Sequence, residues 1–314
     1  MELKPNDYLN LLNDLLSNGL FDEAIVELDY CIAKQFQSSL FLSDYKCYKV
    51  NYSSNDFVLK MSTKLESDIL VSLKSFGISV PQVILTIPSL SSNKVIIFME
   101  LIEGIELSDT NVKEDWVRAA ECLGKMHWSI TENKFQLDES IKAKYYFDKF
   151  NNVLSSELLN KKYQSISNVV KDRVYNAPKL LSHGDCFPSN FIIDSKSVFL
   201  IDFEMMSSLP YFMDIARLTS TPLVNGSGLI CPFPDDTINS YYEVVKNIFQ
   251  LSKDEFLTDV YIGSIVEVMF LMIFEPNKSS KFYQYCIQLT DYFANKILSH
   301  LGEDEQANTH RYCL

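Results

Sequence analysis

Residues 180–218 read LLSHGDCFPSNFIIDSKSVFLIDFEMMSSLPYFMDIARL. His183-Gly184-Asp185 opens the stretch, Asn190 follows after four residues, and Asp202 comes twelve positions later. The residues between are apolar and largely β-branched or aromatic: Phe191, Ile192 and Ile193, then Val198, Phe199, Leu200 and Ile201. The polar run Asp194-Ser195-Lys196-Ser197 separates them, so the spacing predicts two short strands joined by a turn. Such a hairpin places Asp185 and Asn190 on one loop and Asp202 at the end of a strand facing them.

Phosphoryl transfer needs this set of groups. A carboxylate orients an oxygen nucleophile and takes its proton, and metal ions on the phosphates need oxygen ligands, typically an Asp and an Asn. Asp-x4-Asn followed by a strand running into Asp-Phe is the catalytic-loop and metal-loop pattern of kinases. Gly184 stands where protein kinases carry Arg. His183-Gly184-Asp185, Asn190, Asp202-Phe203-Glu204 and Asp214-Ile215-Ala216, in that order and at these spacings, resemble the aminoglycoside phosphotransferase and choline kinase family. Asp185 taken alone reads as a turn residue and Asp202 as a strand-end cap; their joint occurrence with His183, Asn190 and Asp214 argues against that.

The resemblance implies an α+β, two-lobed, protein-kinase-like fold. A small β-rich nucleotide-binding lobe spans 1–103 with a hinge at 99–104, and a larger helical lobe spans 104–314. The order of elements agrees. Helical spacing over 7–28, strand-like runs over 30–36, 45–50, 57–61 and 95–99, and a helix over 62–76 ended by Gly77 make a small α+β lobe. Helices are then expected over 113–128, 145–174, 236–249 with Asp236 as its cap, 256–274 and 282–300, with a polar, frayed tail at 302–306.

Implied roles follow residue by residue. Lys60 ends the strand Phe57-Val58-Leu59-Lys60 and would contact phosphates, with Glu66 of the next helix as its partner; Asp68, two residues on, falls on another face. Asn190 and Asp202 would hold Mg2+, with Glu204 as a further metal candidate. Asp185 would be the base, His183 and Asp214 would brace its loop, and His127 would be structural. Met99 would back the adenine, while the carbonyl of Glu100 and the amide of Ile102 would pair with its edge. The loop 37–43 contains no glycine, although glycine lets backbone approach phosphate closely. Ser38 and Ser39 are the hydroxyls that could still donate there.

The implied cofactors are ATP, with GTP left open, and Mg2+. The implied partner is a small-molecule hydroxyl acceptor. An aminoglycoside-type antibiotic is favoured, a choline or amino-alcohol acceptor is the alternative, and a nucleotide-binding module without turnover is the reading from another class. A quaternary ammonium wants an aromatic cage, for which Tyr211, Phe212, Tyr241 and Tyr242 are available; an aminoglycoside wants carboxylates, for which Asp235, Asp236 and Glu243 are available.

Composition sets the outer bounds. The chain has 314 residues, 47% hydrophobic and 22% charged, an ordinary globular balance. Its net charge of −13 is spread, with 13 acidic and 8 basic residues in 1–103 and 28 and 20 in 104–314. That argues against a nucleic-acid or anionic-membrane surface and is compatible with a cationic substrate. Seven cysteines at Cys31, Cys47, Cys122, Cys186, Cys231, Cys286 and Cys313 have no metal-ligand spacing, which reads as reduced thiols in a cytoplasmic protein. The apolar run 262–274 is short for a membrane span and contains Glu267, so it reads as a buried helix. The oligomeric state is open.

Overall fold

A computed structural model describes residues 47–52, 55–88, 95–135, 143–220 and 231–309. The expected helices over 7–28, the strand over 30–36 and the loop with Ser38 and Ser39 lie outside the described residues. The chain divides into two compact units, one reaching to Lys74 and taking in Val80–Ile102, the other made of Ser75–Ser79 and Glu103–Leu314.

The described part of the first unit is an antiparallel sheet in the order β1-β2-β4-β3, from β1 Cys47–Tyr52, β2 Asn55–Ser62, β3 Val83–Pro88 and β4 Val95–Glu100. Helix α1, Lys64–Ser75, follows β2 and buries Ile69, Leu70 and Leu73. In β2, Leu59 is fully buried and Lys60 pairs in register with Ile97 of β4. Strand β3 was not expected from the sequence. Pro81 precedes it and Pro88 is its last residue, and proline in or beside an apolar run demotes it as a strand; here β3 takes the sheet edge, where a missing N–H is tolerated.

The second unit is mainly helical, with two small sheets that carry loops. These are β5 Ile105–Glu106, β7 Phe191–Ile193 and β8 Val198–Leu200 in the order β5-β7-β8, and the pair β6 Lys179–Ser182 with β9 Ser207–Pro210. The expected hairpin forms with Phe191 opposite Leu200 and Ile193 opposite Val198. Its turn is fixed by Asp194, whose Oδ1 accepts the amides of Lys196 at 2.6 Å and of Ser197.

The helices are α2 Lys113–Glu132, α3 Ala143–Leu154, α4 Gln164–Asn176, α5 Met213–Ser220, α6 Pro234–Phe249, α7 Lys253–Phe274 and α8 Lys281–Thr309. The stretch expected as one helix over 145–174 is two, separated by a single π-turn at Leu158–Lys162. Helix α6 begins at Pro234 with Phe233 as N-cap, so Asp236 lies inside the first turn instead of capping it; proline at the first helical position is pre-set for that start. Residues 302–306, expected as a frayed tail, continue α8.

Helix α7 starts at a capping box in which Ser252 accepts the Glu255 amide and the Glu255 carboxylate accepts the Ser252 amide. By length and composition it could cross a membrane, but 78% of its apolar window is buried in the fold. Gly263 lets α5 cross it closely: a Cβ there would stand 2.8 Å from Ala216 Cβ and from Phe212 Cδ2. That crossing brings the single buried carboxylate of the apolar run, Glu267, beside Arg217 of α5.

Candidate active site

The loop after β6 is held from beneath. Asp214, in the first turn of α5, accepts the backbone amides of His183 at 2.6 Å and Gly184 at 2.9 Å. Its Oδ2 also takes the Nε2 hydrogen of His127, 3.0 Å away, and His127 Nδ1 pairs with the Tyr241 hydroxyl at 2.7 Å. Burial works against the charge on Asp214, but these hydrogen bonds and the nearby His183 hold its carboxyl below the ordinary aspartate range. His183 Nε2 donates to the Ile201 carbonyl at 2.9 Å, and its Nδ1 accepts the Asp185 amide at 3.2 Å. With both ring nitrogens engaged, His183 serves as a strut between the two loops.

Gly184 has φ +83, and an added Cβ would fall 2.2 Å from the Met205 carbonyl oxygen. Only glycine fits so close to that backbone with a left-handed φ. The Tyr146 hydroxyl of α3 donates to the Gly184 carbonyl at 2.8 Å and closes the loop from the other side.

Asp185 is thereby held with each carboxylate oxygen engaged. Its Oδ1 accepts from Arg217 Nη1 at 2.7 Å, and its Oδ2 accepts from Asn190 Nδ2 at 3.2 Å. Its side chain stays 27% exposed, which leaves a face for a reacting group. Burial raises its carboxyl above the ordinary aspartate range; Arg217 opposes that, and the charge of Asp202 adds to it. Asn190 also donates from Nδ2 to the Asp185 carbonyl at 2.7 Å, so its amide nitrogen is committed and Oδ1 is the atom left for a cation.

Asp202 lies beyond its strand. Strand β8 ends at Leu200, Ile201 donates its amide to the Asn190 carbonyl at 3.0 Å, and Asp202 then adopts a left-handed backbone with φ 65 before the 3-10 turn Phe203–Met205. A non-glycine residue in that conformation is uncommon and clusters at functional sites. Oxygens of Asp202 and Glu204 lie within 4.8 Å of each other. Carboxylate and amide oxygens without sulfur or imidazole suit a hard divalent cation such as Mg2+.

In the other unit, Lys60 Nζ donates to Glu66 Oε1 at 2.8 Å, with side-chain exposures of 9% and 1%. Ser62 donates to the other oxygen of Glu66. Asp68 pairs with Lys64 at 2.7 Å in solvent and is not the partner of Lys60. Met99 is buried in β4 opposite Val58, and Ile102 is buried after it. The Glu100 carboxylate accepts the Gln82 amide at 3.1 Å and stands 3.7 Å from Lys74.

The aromatics considered for a cage do not form one. Tyr211, Phe212 and Tyr241 have no exposed surface and pack in the core, because α5, α6 and α7 meet there; the Tyr242 ring lies 5.0 Å from that of Phe256, tilted by 41°. The carboxylates of Asp235 and Glu243 are exposed on α6, with Asp236 paired to Lys113 at 2.7 Å and Glu243 to Lys246 at 2.6 Å. Sequence reasoning did not single out Arg217, Tyr146 or Lys149. The available signal was Glu267, an ionisable residue inside an apolar helix, which has to find a buried partner. Lys149 Nζ meets Glu267 Oε1 at 2.7 Å, and burial with the nearby Arg217 brings its amine down to about 8 against the pull of Glu267.

A model of the phosphotransferase enzyme family matches residues 48–237. The chain belongs to that family. The match takes in Lys60, Glu66, the whole loop from His183 to Asn190, Asp202 and Asp214. Among solved structures, a choline kinase from Cryptosporidium parvum is similar, at 12% identity and a TM-score of 0.57, with 95% of this chain and 97% of that one covered. The amicoumacin kinase hAmiN, in complex with AMP-PNP, Ca2+ and Ami, is similar at 14% identity and a TM-score of 0.54, with 82% and 87% covered. At these identities the likeness speaks for the fold, the α+β two-lobed kinase-like one. A search of the curated proteins gives no match.

Proposed function

We propose that this family member is an ATP-dependent O-phosphotransferase that moves the γ-phosphoryl group to a hydroxyl of a small cationic molecule, an aminoglycoside-type amino sugar first. The observation that carries this reading is the Asp185 carboxylate, partly exposed yet fixed through both oxygens by Arg217 and Asn190. A base placed in this way orients an acceptor hydroxyl and takes its proton as the new O–P bond forms. Bound MgATP would supply the phosphoryl group and a cation that neutralises charge on its oxygens. Asn190 Oδ1 and Asp202 would hold that cation, with Glu204 as the further oxygen donor. Lys60, kept in place by Glu66, would contact the phosphates, and Met99, Glu100 and Ile102 would frame the adenine. The solved neighbour hAmiN binds AMP-PNP and Ca2+, which supports nucleotide and divalent-metal use here.

Support for a cationic acceptor comes from the net charge of −13 and the carboxylates of α6. The burial of Tyr211, Phe212 and Tyr241 takes those three side chains out of any cage for a choline-type acceptor, which favours an amino sugar. The test is an ATP-consumption screen with Mg2+ over aminoglycosides, macrolides, amino alcohols and small sugars. Product is verified by phosphorus NMR, and acceptor KM is then measured at low and high ionic strength. The reading expects an aminoglycoside product and a KM that rises with salt, because surface carboxylate contacts are screened. A salt-independent KM points to a neutral acceptor. Nucleotide binding without product from any hydroxyl compound supports a non-catalytic module.

A further inference from the structure

We propose that Arg217, Glu267 and Lys149 form a buried positioning chain that sets the direction of the Asp185 carboxylate. The proposal rests on the reading of Asp185 as the base. Four alternating charges run from the loop into the helical unit. Asp185 Oδ1 meets Arg217 Nη1 at 2.7 Å, Arg217 Nε meets Glu267 Oε2 at 3.1 Å, and Glu267 Oε1 meets Lys149 Nζ at 2.7 Å. Side-chain exposure falls along the chain from 27% at Asp185 to 6% at Arg217, 5% at Glu267 and none at Lys149.

Three helices contribute, α5, α7 and α3, with Lys149 and Glu267 separated by 118 residues. One bond from a guanidinium to a carboxylate leaves the guanidinium plane able to turn. A second carboxylate on Nε fixes that plane, because the donors of arginine are set in a rigid fork. Lys149 holds the second carboxylate, its Nζ 4.9 Å from the Phe270 ring centroid. The Phe187 ring lies 5.0 Å from Arg217 Cζ, and Arg217 Nη1 also donates to the Gly184 carbonyl at 2.5 Å. The guanidinium is therefore held by three acceptors, Asp185 Oδ1, the Gly184 carbonyl and Glu267 Oε2, and covered on one face by Phe187.

Stability is a poor reason for such an arrangement, since buried ion pairs seldom outperform apolar side chains of the same size. The Arg173–Asp259 pair of α4 and α7 supplies the contrast. It is tied to a tyrosine, with the Tyr211 hydroxyl 2.6 Å from Asp259 Oδ2, and among the described residues no hydrogen bond or ion pair joins Arg173 or Asp259 to the loop 183–190. The chain through Arg217 ends on the one carboxylate that the reaction needs aimed. Its members act as positioning residues.

The test compares full-length variants in MgATP hydrolysis, with water as the acceptor. Glu267→Gln is expected to lower kcat about tenfold and Arg217→Ala about a hundredfold, with KM for MgATP within about twofold of wild type. Added guanidinium should restore turnover to Arg217→Ala, which a merely structural role would not allow. Asp259→Asn should lower Tm and leave kcat unchanged. Folded Glu267→Gln and Arg217→Ala proteins with the kcat of Asp259→Asn overturn the positioning chain while leaving the base in place, provided Asp185→Asn is inactive. An Asp185→Asn protein that hydrolyses MgATP at the wild-type rate overturns the base assignment and the purpose of the chain with it. Where Arg217 variants fail to fold, hydrogen exchange at Arg217 Nε by nitrogen NMR is read in wild type and in Lys149→Met. Slow exchange in wild type that accelerates in Lys149→Met supports the chain, and equal rates in the two proteins overturn it.

Discussion

The Oδ1 of Asp214 accepts the amide hydrogen of Gly184 at 2.9 Å, across thirty residues of sequence. A carboxylate placed under a loop in this way turns the first residues of the loop into a rigid shelf, because two consecutive amides, those of His183 and Gly184, donate to the two oxygens of one carboxylate. Asp185 stands on that shelf. The orientation of the proposed base is set by backbone geometry before any substrate arrives.

Gly184→Ala tests the shelf. A Cβ at φ +83 is strained by about 1–2 kcal/mol on its own, and here it would also meet the Met205 carbonyl at 2.2 Å. Thermal unfolding should show a loss well beyond that strain, or no folded protein. Gly77, with φ +79 and nothing within 4 Å of an added Cβ, is the control. Gly77→Ala should cost only about 1 kcal/mol. Equal costs at the two positions would contradict the close approach at Gly184.

Acid should unfold the protein through Asp214. Its folded carboxyl lies below the ordinary value despite burial, because His127, His183 and the Gly184 amide favour the charged form. The sign follows from linkage. A depressed folded value contributes stability that is fully present above the unfolded value of about 3.9 and is lost as pH falls through the folded value. Glu267 adds a contribution of the same sign, burial again opposing and Arg217 and Lys149 prevailing, while the raised carboxyl of Asp185 works the other way. Asp214→Asn removes a buried carboxylate that accepts from His127 and from two backbone amides, and it sets an NH2 against those donors. It should cost about 3–5 kcal/mol near neutrality and flatten the fall in denaturation midpoint between roughly pH 5 and pH 2. An unchanged acid slope in the variant would contradict this origin.

Lys60→Ala should weaken MgATP binding, measured by calorimetry, by at least about tenfold, since a charge-assisted bond to phosphate is worth roughly 1.5–3 kcal/mol. Lys64→Ala is the matched control. Its pair with Asp68 is 74% and 59% exposed, and such pairs contribute about 0–1 kcal/mol. Equal effects of the two substitutions would remove Lys60 from the phosphate site.

The parts of this site that were legible in the sequence are the local ones. The β7–β8 hairpin follows from two apolar runs and an Asp-initiated turn, and the choice of Glu66 over Asp68 follows from helical spacing. The parts that were not legible depend on which helices meet. Lys149 on α3 looks like any solvated lysine until α7 brings Glu267 to it. Tyr211 and Tyr241 look available for a ligand until α5, α6 and α7 close over them. Strand β3 was hidden by Pro81 before it and Pro88 at its end, the latter accommodated at the sheet edge. Asp202 was read as the end of a strand, but its left-handed backbone places it past the strand, a conformation that residue type alone does not announce for aspartate.

The most direct measurement is turnover by Asp185→Asn, with MgATP binding measured on the same preparation. The substitution keeps the shape of the side chain and one of its two acceptor oxygens, sets an NH2 against the other donor of the pair Arg217 and Asn190, and removes the ability to accept a proton. Phosphorylation of the best acceptor from the screen should fall by about a hundredfold or more, while MgATP affinity stays within about twofold of wild type. A folded Asp185→Asn protein that transfers phosphate at close to the wild-type rate would contradict the assignment of Asp185 as the base.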